Sequence, residues 1–350
     1  MPNRNLWFGT GIHLCLAEWY GTGTTRLVHP LETWEKYTEG SMQVIRVELD
    51  KGNGVEAEWV DAIELGKAML TGYLEKYGKD EQWDFIATER SGSIRIPDRS
   101  GSPIVRYAYT FDGVFRNVES GGFRLLETKT AAAIVTGHLP MDTQAGSYWA
   151  IASWELRKLG LLGPKERIEG ITYNFLRKAM PDERPKHPVS GESCNLPTKD
   201  HFLTALADAG AKEAILESDP NSTVPLAKAK VVDLKATAEM MGLVVVGDPS
   251  KNQPKPLFHR EFVRRTAKER NRQLRRIADE TEWMNAVRDG NLPITKTNRS
   301  NGVDACHYGC EFYDMCGLHE SGGDWELVRD MMFTVQDPYA DHRKSAHMEV

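Results

Sequence analysis

The sequence predicts an α/β fold in which a mixed central sheet is flanked by helices. Helical periodicity occupies both ends of the chain, and between residues 83 and 129 short apolar runs alternate with turn residues. A chain of 350 residues, 40% of them hydrophobic, can bury a sizeable core without disulfides. The composition excludes disordered and fibrous proteins. We expect one elaborated domain over residues 1–350, with the core motifs in 1–175 and a helical extension in 176–350.

The N-terminal part of the chain predicts two helices followed by a group of strands. The helices are expected at residues 8–21 and 55–77. Four runs with strand character follow, at residues 83–89, 93–96, 104–115 and 123–129. The sequence Ser120-Gly121-Gly122 favours a tight turn, so the last two runs should form a hairpin.

The rest of the chain predicts mainly helices. A helix is expected at residues 143–161, then a short strand at 170–175 and a loop at 181–197. Further helices are expected at residues 200–211 and 226–241 and, in a basic segment, to about residue 288. The expected extension over residues 176–350 is therefore mainly helical.

The chain has no apolar run of the ~20 residues needed to cross a bilayer. Residues 1–5 lack the apolar stretch of a signal peptide. The five cysteines are an odd number, which favours reduced thiols over a secreted disulfide framework. We therefore expect a cytoplasmic protein without a membrane partner.

The charge is unevenly distributed along the chain. The net charge is -6, but residues 255–276 carry nine basic residues against two acidic ones, which is +7 within this basic segment. A polyanion such as DNA could bind there. The alternative is a solvated helix face.

Two carboxylates and an ammonium group should meet at the predicted hairpin. Asp112 lies on one strand, and Glu127 and Lys129 on the next are two residues apart, which places their side chains on one face of the strand. Carboxylates that bind Mg²⁺ or Mn²⁺ beside a lysine suit phosphodiester hydrolysis, because the metal polarises the phosphate and acidifies a water. The alternative is a solvated hairpin face.

Four short sequence blocks extend this pattern. They are Phe8-Gly-Thr-Gly-Ile-His13 with Leu16-Ala-Glu-Trp-Tyr20, Phe111-Asp112-Gly113, Leu126-Glu-Thr-Lys-Thr-Ala131, and Asp142-Thr-Gln144 with Tyr148. In this order they resemble the RecB-like nucleases of the PD-(D/E)XK superfamily, particularly the CRISPR-associated and phage-encoded exonucleases. The resemblance implies a restriction-endonuclease-like core and covers roughly residues 6–150.

The resemblance also implies a metal site. Asp112 and Glu127 would ligate Mg²⁺ or Mn²⁺, together with the backbone carbonyl of Thr128. His13 would add a nitrogen ligand, which Mn²⁺ accepts more readily than Mg²⁺ does. A histidine packed near the start of a helix is the alternative for His13.

Further residues gain roles from the same resemblance. Lys129 would position the attacking water, and Gln144 and Tyr148, one helical turn apart, would face the site. Ordinary amphipathic packing is the alternative for this pair. Glu89, before Asp112 in the chain, is not counted among the site residues.

Three cysteines lie within eleven residues near the C-terminus, Cys306, Cys310 and Cys316. Thiols this close in a reducing compartment usually bind metal. The resemblance implies an iron–sulfur cluster, although the first gap is one residue longer than in the family and no cysteine precedes His13. A zinc ion held with His319, or thiols packed without metal, are the alternatives.

Together these features predict a metal-dependent deoxyribonuclease, with an exonuclease favoured over an endonuclease. The expected partner is DNA in recombination, repair or phage DNA processing, with recombination or CRISPR-type proteins as possible partners. The setting would be a bacterial cell or a phage-infected host. The alternative is a non-catalytic DNA-binding or assembly subunit; an enzyme acting on RNA or small molecules lacks supporting motifs.

Overall fold

The computed structural model describes residues 3–293, 310 and 312–335. The α-helices are α1 (Arg4–Tyr20), α2 (Pro30–Asp50), α3 (Glu56–Tyr77), α4 (Thr143–Lys158), α5 (Lys199–Asp208), α6 (Val231–Met240), α7 (Ala267–Arg288), α8 (Tyr313–Ser321) and α9 (Trp325–Met332). The strands are β1 (Trp83–Pro97), β2 (Pro103–Asn117), β3 (Phe123–Ala131), β4 (Ile168–Arg177), β5 (Glu213–Leu216), β6 (Asp219–Pro225) and β7 (Phe258–Arg264). Short 3₁₀ turns lie at Leu139–Met141 and Leu226–Lys228.

The central sheet has five strands in the order β1-β2-β3-β4-β7. Strands β1, β2 and β3 form an antiparallel meander, β4 runs parallel to β3, and β7 is antiparallel to β4. The parallel pair requires a crossover, and α4 supplies it. The predicted mixed α/β fold is therefore confirmed at this level.

Both faces of the sheet are covered, because neighbouring strand residues point to opposite sides. On β3, Leu125 packs in a core with α4 and α7, whereas Leu126 packs in a second core with α1, α2 and α3. A third, smaller core joins α5, α6 and the β5–β6 hairpin. The first two cores hold the elements that carry the predicted site residues.

Helices α1, α2 and α3 meet around one tryptophan. Trp34 of α2 is buried, and its indole N–H donates to the carbonyl oxygen of Ile63, 3.0 Å away. A Cβ atom at Gly11 of α1 or Gly66 of α3 would lie within 2.6 Å of its ring. Glycine at these two positions therefore allows the three backbones to approach the indole.

A buried ion pair links β7 to the segment before β1. Two nitrogens of the Arg260 guanidinium donate to the Asp80 carboxylate, at 2.6 and 2.7 Å, and the Asp80 side chain is 1% exposed. The phenol oxygens of Tyr20 and Tyr73 accept hydrogen bonds from the same guanidinium, and Asn174 accepts one from its Nε. This group of five side chains, the Arg260 network, ties α1, α3, β4 and β7 together.

Several elements differ from the sequence prediction. Helix α2 was not predicted, because threonines interrupt the apolar stripe formed by Trp34, Met42 and Ile45. The two runs predicted at 83–89 and 93–96 form one strand, β1. The expected helical extension contains the β5–β6 hairpin and β7, which belongs to the central sheet.

The basic segment is a strand followed by a helix, not one helix. Residues 258–264 pair with β4, and α7 begins only after Thr266, whose side chain and that of Glu269 form a capping box. Two of the segment's arginines are structural: Arg260 lies in its network, and Arg265, with a 7% exposed side chain, donates to the carbonyl oxygens of Leu139 and Pro140. The predicted DNA-binding role therefore cannot rest on the whole segment.

No helix in the described part of the chain combines the length and the apolar composition that a membrane-spanning segment requires.

Removing the charge of Asp80 should destabilise the protein strongly. Asp80→Asn tolerates the left-handed backbone at this position (φ 48°) but leaves Arg260 buried without its counterion. We expect a loss of about 3 kcal/mol in the free energy of unfolding, measured by urea denaturation. The control is Asp279→Asn, which breaks the exposed pair with Arg99 and should cost less than about 1 kcal/mol. Equal losses in both variants would contradict this assignment.

Candidate metal centre

The predicted site lies where the central strands β2 and β3 separate. Their backbone pairing runs from Arg116 with Phe123 to Gly113 with Leu126 and goes no further toward the site. Beyond it, the Asp112 carboxylate accepts a hydrogen bond from the Thr128 amide at 2.6 Å. The Asp112 side chain thus takes the place of a backbone acceptor for the Thr128 amide. This hydrogen bond fixes one carboxylate oxygen of Asp112, and the other oxygen faces α1.

Asp112 meets a histidine and a second carboxylate there. The Nδ1 atom of His13 lies 3.4 Å from Asp112 Oδ1 and 3.6 Å from Glu89 Oε1. One potential ligand atom from each of the three side chains lies within 4.8 Å of the other two. Burial acts to lower the pKa of His13, but the hydrogen bonds and charges of Asp112 and Glu89 outweigh it and raise the pKa to about 10. A cation is therefore favoured between these carboxylates.

Glu89 is the site residue that the sequence analysis did not count. Thr88 pairs with Gly113 and Arg90 with Phe111, so Glu89 lies opposite Asp112 on the β1–β2 hairpin. Its backbone has a φ of 42°, a left-handed conformation that is strained for a glutamate and is typical of functional positions. The turn around residues 98–102 is the sequence feature that could have placed Glu89 opposite Asp112, because this turn sets the register of the β1–β2 hairpin.

Glu127 is the buried carboxylate of the site. Its Oε1 atom lies 2.5 Å from the Nζ atom of Lys129, and its Oε2 atom is buried without a hydrogen-bond partner. Burial, reinforced by the charge of Asp112 and opposed by Lys129, raises the pKa of Glu127 to about 7. A buried carboxylate oxygen with no protein partner is costly, and a bound cation would compensate for this cost.

Lys129 connects this carboxylate to α4. Its Nζ atom donates to Gln144 Oε1 at 3.2 Å, and the Gln144 amide nitrogen donates to the Tyr148 hydroxyl at 3.3 Å. Burial favours the neutral amine, but the charge and hydrogen bond of Glu127 outweigh it and raise the pKa of Lys129. Helix α4 presents Gln144 in its first turn, because Asp142 caps the helix by accepting a hydrogen bond from the Ala145 amide. A continuous chain of contacts therefore links four side chains, those of Glu127, Lys129, Gln144 and Tyr148.

The donor set suits a hard divalent cation. The carboxylates of Glu89 and Asp112 and the imidazole of His13 meet from β1, β2 and α1. Glu127 of β3 lies outside this group but near enough for the charge of Asp112 to raise its pKa. Carboxylate oxygens are preferred by Mg²⁺, and a single imidazole is compatible with Mn²⁺. The unpartnered oxygen of Glu127 and the proton on His13 both fit a site built to hold positive charge.

Two other predicted features remain predictions. The amide of Thr128 binds Asp112, whereas the role expected for its carbonyl oxygen is not tested by this contact. Of the three C-terminal cysteines, Cys306 lies outside the described residues. Cys310 is half-buried and Cys316 is exposed on α8, and both are free thiols. Cys15 and Cys194 are buried at other places in the fold.

No protein-family model matches the chain, and a search of the curated proteins found no similar sequence.

The stability of the protein in chelator should depend on pH through His13. Its pKa is higher in the folded protein than the usual 6.5, so its stabilisation is full below pH 6.5 and disappears as the pH rises through about 10. The stability difference between the parent and His13→Gln should therefore be largest near pH 6 and shrink by pH 10, in urea denaturation with EDTA. The exposed His138 has no ion pair among the described residues, so His138→Gln should show no such trend. Parallel pH profiles for the parent and His13→Gln would contradict the assignment.

Proposed function

We propose that this protein is a divalent-metal-dependent deoxyribonuclease with a core of the PD-(D/E)XK type, acting as an exonuclease rather than an endonuclease. One observation carries the proposal. The pair of His13 and Asp112 lies beside the pair of Glu127 and Lys129, and the charge of Asp112 acts on Glu127. This combination of metal ligands and a lysine supports phosphodiester hydrolysis.

The residues that would hold Mg²⁺ or Mn²⁺ are Asp112, Glu127, Glu89 and His13. The bound ion would supply a Lewis acid that polarises the phosphate and acidifies a water. With the ion in place His13 would lose its proton, because a neutral ring nitrogen is the form that ligates a metal. The carboxylate of Asp112 is held in position by the Thr128 amide, so the ligand set is oriented before a substrate binds.

Lys129 is placed to act on the attacking water or on a phosphate oxygen. An ammonium group has three protons, and Glu127 and Gln144 accept two of them. The third remains for a water or for the charge that develops on the phosphate. Because the pKa of Lys129 is raised, the group stays a cation at neutral pH.

Gln144 and Tyr148 support this lysine. The Gln144 oxygen accepts from Lys129 while its amide nitrogen donates to Tyr148, which fixes the orientation of the amide. Burial raises the pKa of Tyr148, so its phenol keeps its proton and can donate to a phosphate oxygen. Gln144 is exposed, so the chain of contacts ends at the surface.

The shape of the site favours a polymeric substrate. The cavity between His13, Glu89 and Asp112 has a volume of only about 10 Å³. Sites that enclose small molecules typically measure roughly 300–1,000 Å³. A phosphodiester that lies across the surface is a better fit, and this supports DNA as the proposed partner. The iron–sulfur cluster or zinc ion at Cys306, Cys310 and Cys316 remains part of the proposal, with a structural role.

Mn²⁺ should stabilise the folded protein against heat. A ligand present at 100 times its dissociation constant contributes about 2.7 kcal/mol, so the melting temperature should rise by several degrees. Asp112→Asn should abolish this rise, because it removes one ligand charge. Asp61→Asn changes an exposed aspartate on α3 and should leave the rise intact. A rise that persists in Asp112→Asn would place the ion elsewhere.

Lys129→Met should abolish DNA cleavage without weakening DNA binding. Loss of a group that stabilises developing charge typically costs roughly 10² to 10³ in rate, whereas phosphate affinity comes from other cations. Cleavage is measured with end-labelled linear and closed circular DNA in Mg²⁺ or Mn²⁺, and binding is measured in EDTA. Lys36→Met, at an exposed lysine of α2, is the matched control.

Full activity in Lys129→Met would reject the assigned site. A parent protein that binds DNA and cuts neither substrate would favour the non-catalytic subunit. Cleavage of linear DNA alone would support the exonuclease.

A further inference from the structure

A basic cleft opens at the end of the sheet where β3 and β4 begin. It has a volume of about 440 Å³, and its wall includes Phe123 of β3 and Ile168 of β4. Besides Arg265, four cationic side chains line it, those of Lys165, Arg167, Arg264 and Arg270. They come from the segment before β4, the last residue of β7 and the first turn of α7, so the fold brings them together from distant parts of the sequence.

The four cations are not neutralised by neighbouring carboxylates. Among the residues that the structure describes, no carboxylate oxygen lies within 4.0 Å of their side-chain nitrogens, which is the limit for an ion pair. Only two acidic residues, Glu166 and Glu169, line the same cleft, and the Glu166 carboxylate accepts a hydrogen bond from the Gly163 amide at 2.6 Å. The cleft therefore has excess positive charge.

Two features near these cations add to the positive potential. The N-terminus of α7 carries the positive end of the helix dipole, and Ala267 at this end lines the cleft. Arg265 also borders the cleft, although its own hydrogen bonds go to backbone carbonyls of Leu139 and Pro140. Like charges held this close repel one another, and a bound anion would relieve the repulsion.

We propose that this cleft is a second binding site, for phosphate groups, separate from the metal centre. Three guanidinium groups match phosphate because each can donate two parallel hydrogen bonds to its oxygens. The cleft borders Phe123, whereas the metal centre holds Glu127, four residues along the same strand and about 13 Å away. The phosphates belong either to a nucleic-acid strand or to a free nucleotide.

The proposed site uses only some residues of the basic segment that the sequence analysis identified. Arg264 and Arg270 of the segment reach the cleft, whereas Arg260 is buried in its network. Lys165 and Arg167 come from outside the segment and complete the cluster. The binding surface is therefore defined by the fold and not by one run of basic residues.

The test is a charge reversal at two exposed cations of the cleft. The variant Lys165→Glu/Arg264→Glu is compared with Lys67→Glu/Arg46→Glu, which makes the same charge change at exposed positions of α3 and α2. One arm measures binding of a fluorescent 20-nucleotide single strand by anisotropy over a range of salt. The other arm measures binding of ATP by calorimetry. Both are done in EDTA, so the metal centre takes no part.

We expect the cleft variant to bind one of the two ligands at least tenfold more weakly, while the control stays within twofold of the parent. If the ligand is the strand, the slope of log K against log salt should fall by about 1.4, the value for two lost phosphate contacts. A loss in the ATP arm alone would identify a free nucleotide as the source of the phosphate. Either result supports the site.

Two results would overturn the proposal. The first is unchanged affinity for both ligands in the cleft variant, and the second is an equal loss in the cleft variant and the control, which would reflect net charge alone. Lys165→Gln/Arg264→Gln, with a melting curve like that of the parent, guards against misfolding and should show an intermediate loss. Because no cleavage is measured, these outcomes stand whether or not the protein hydrolyses DNA.

Discussion

The buried contact between Arg260 and Asp80 is the interaction on which the arrangement of the site depends. The guanidinium is stacked between aromatic rings, 3.5 Å from the ring centre of Tyr77 and 4.0 Å from that of Trp83. It also binds Tyr20, which lies at the last residue of α1. Helix α1 carries His13 of the candidate metal centre two turns earlier. The position of that histidine over the sheet is therefore fixed by a polar network beside a core of aromatic and aliphatic residues.

The part of the site that is local in sequence was predictable. Asp112, Glu127 and Lys129 lie on two strands joined by a short turn, so alternation and one hairpin suffice to bring them together. Glu89 was not predictable in this way, because its position depends on the register of a long hairpin and on a rare backbone conformation. Arg260 was grouped with the other basic residues of a helical segment predicted to bind DNA, since nothing in a run of basic residues marks one of them as buried.

The electrostatics of the candidate metal centre and of the basic cleft are opposite in sign. At the metal centre, carboxylates outnumber cations, and a proton on His13 partly balances them. In the cleft, cations outnumber carboxylates. A phosphate-bearing polymer is repelled by the first surface unless a divalent ion is present and is attracted by the second. Under the proposed function, a polyanion would bind the cleft first, and its backbone would engage the candidate metal centre only when the ion is bound.

The β1–β2 hairpin is tolerant of changes in length at one end only. Its tip, around residues 98–102, is exposed, and its turn is held by hydrogen bonds from Ser100 and Ser102 to Asp98. Residues inserted at this tip would extend into solvent, so a tag or a reporter domain could be grafted there. One residue deleted from either strand between the tip and the site would turn the side chain of Glu89 or Asp112 to the opposite face. The number of strand residues between the tip and each carboxylate must therefore stay constant for both carboxylates to face the site.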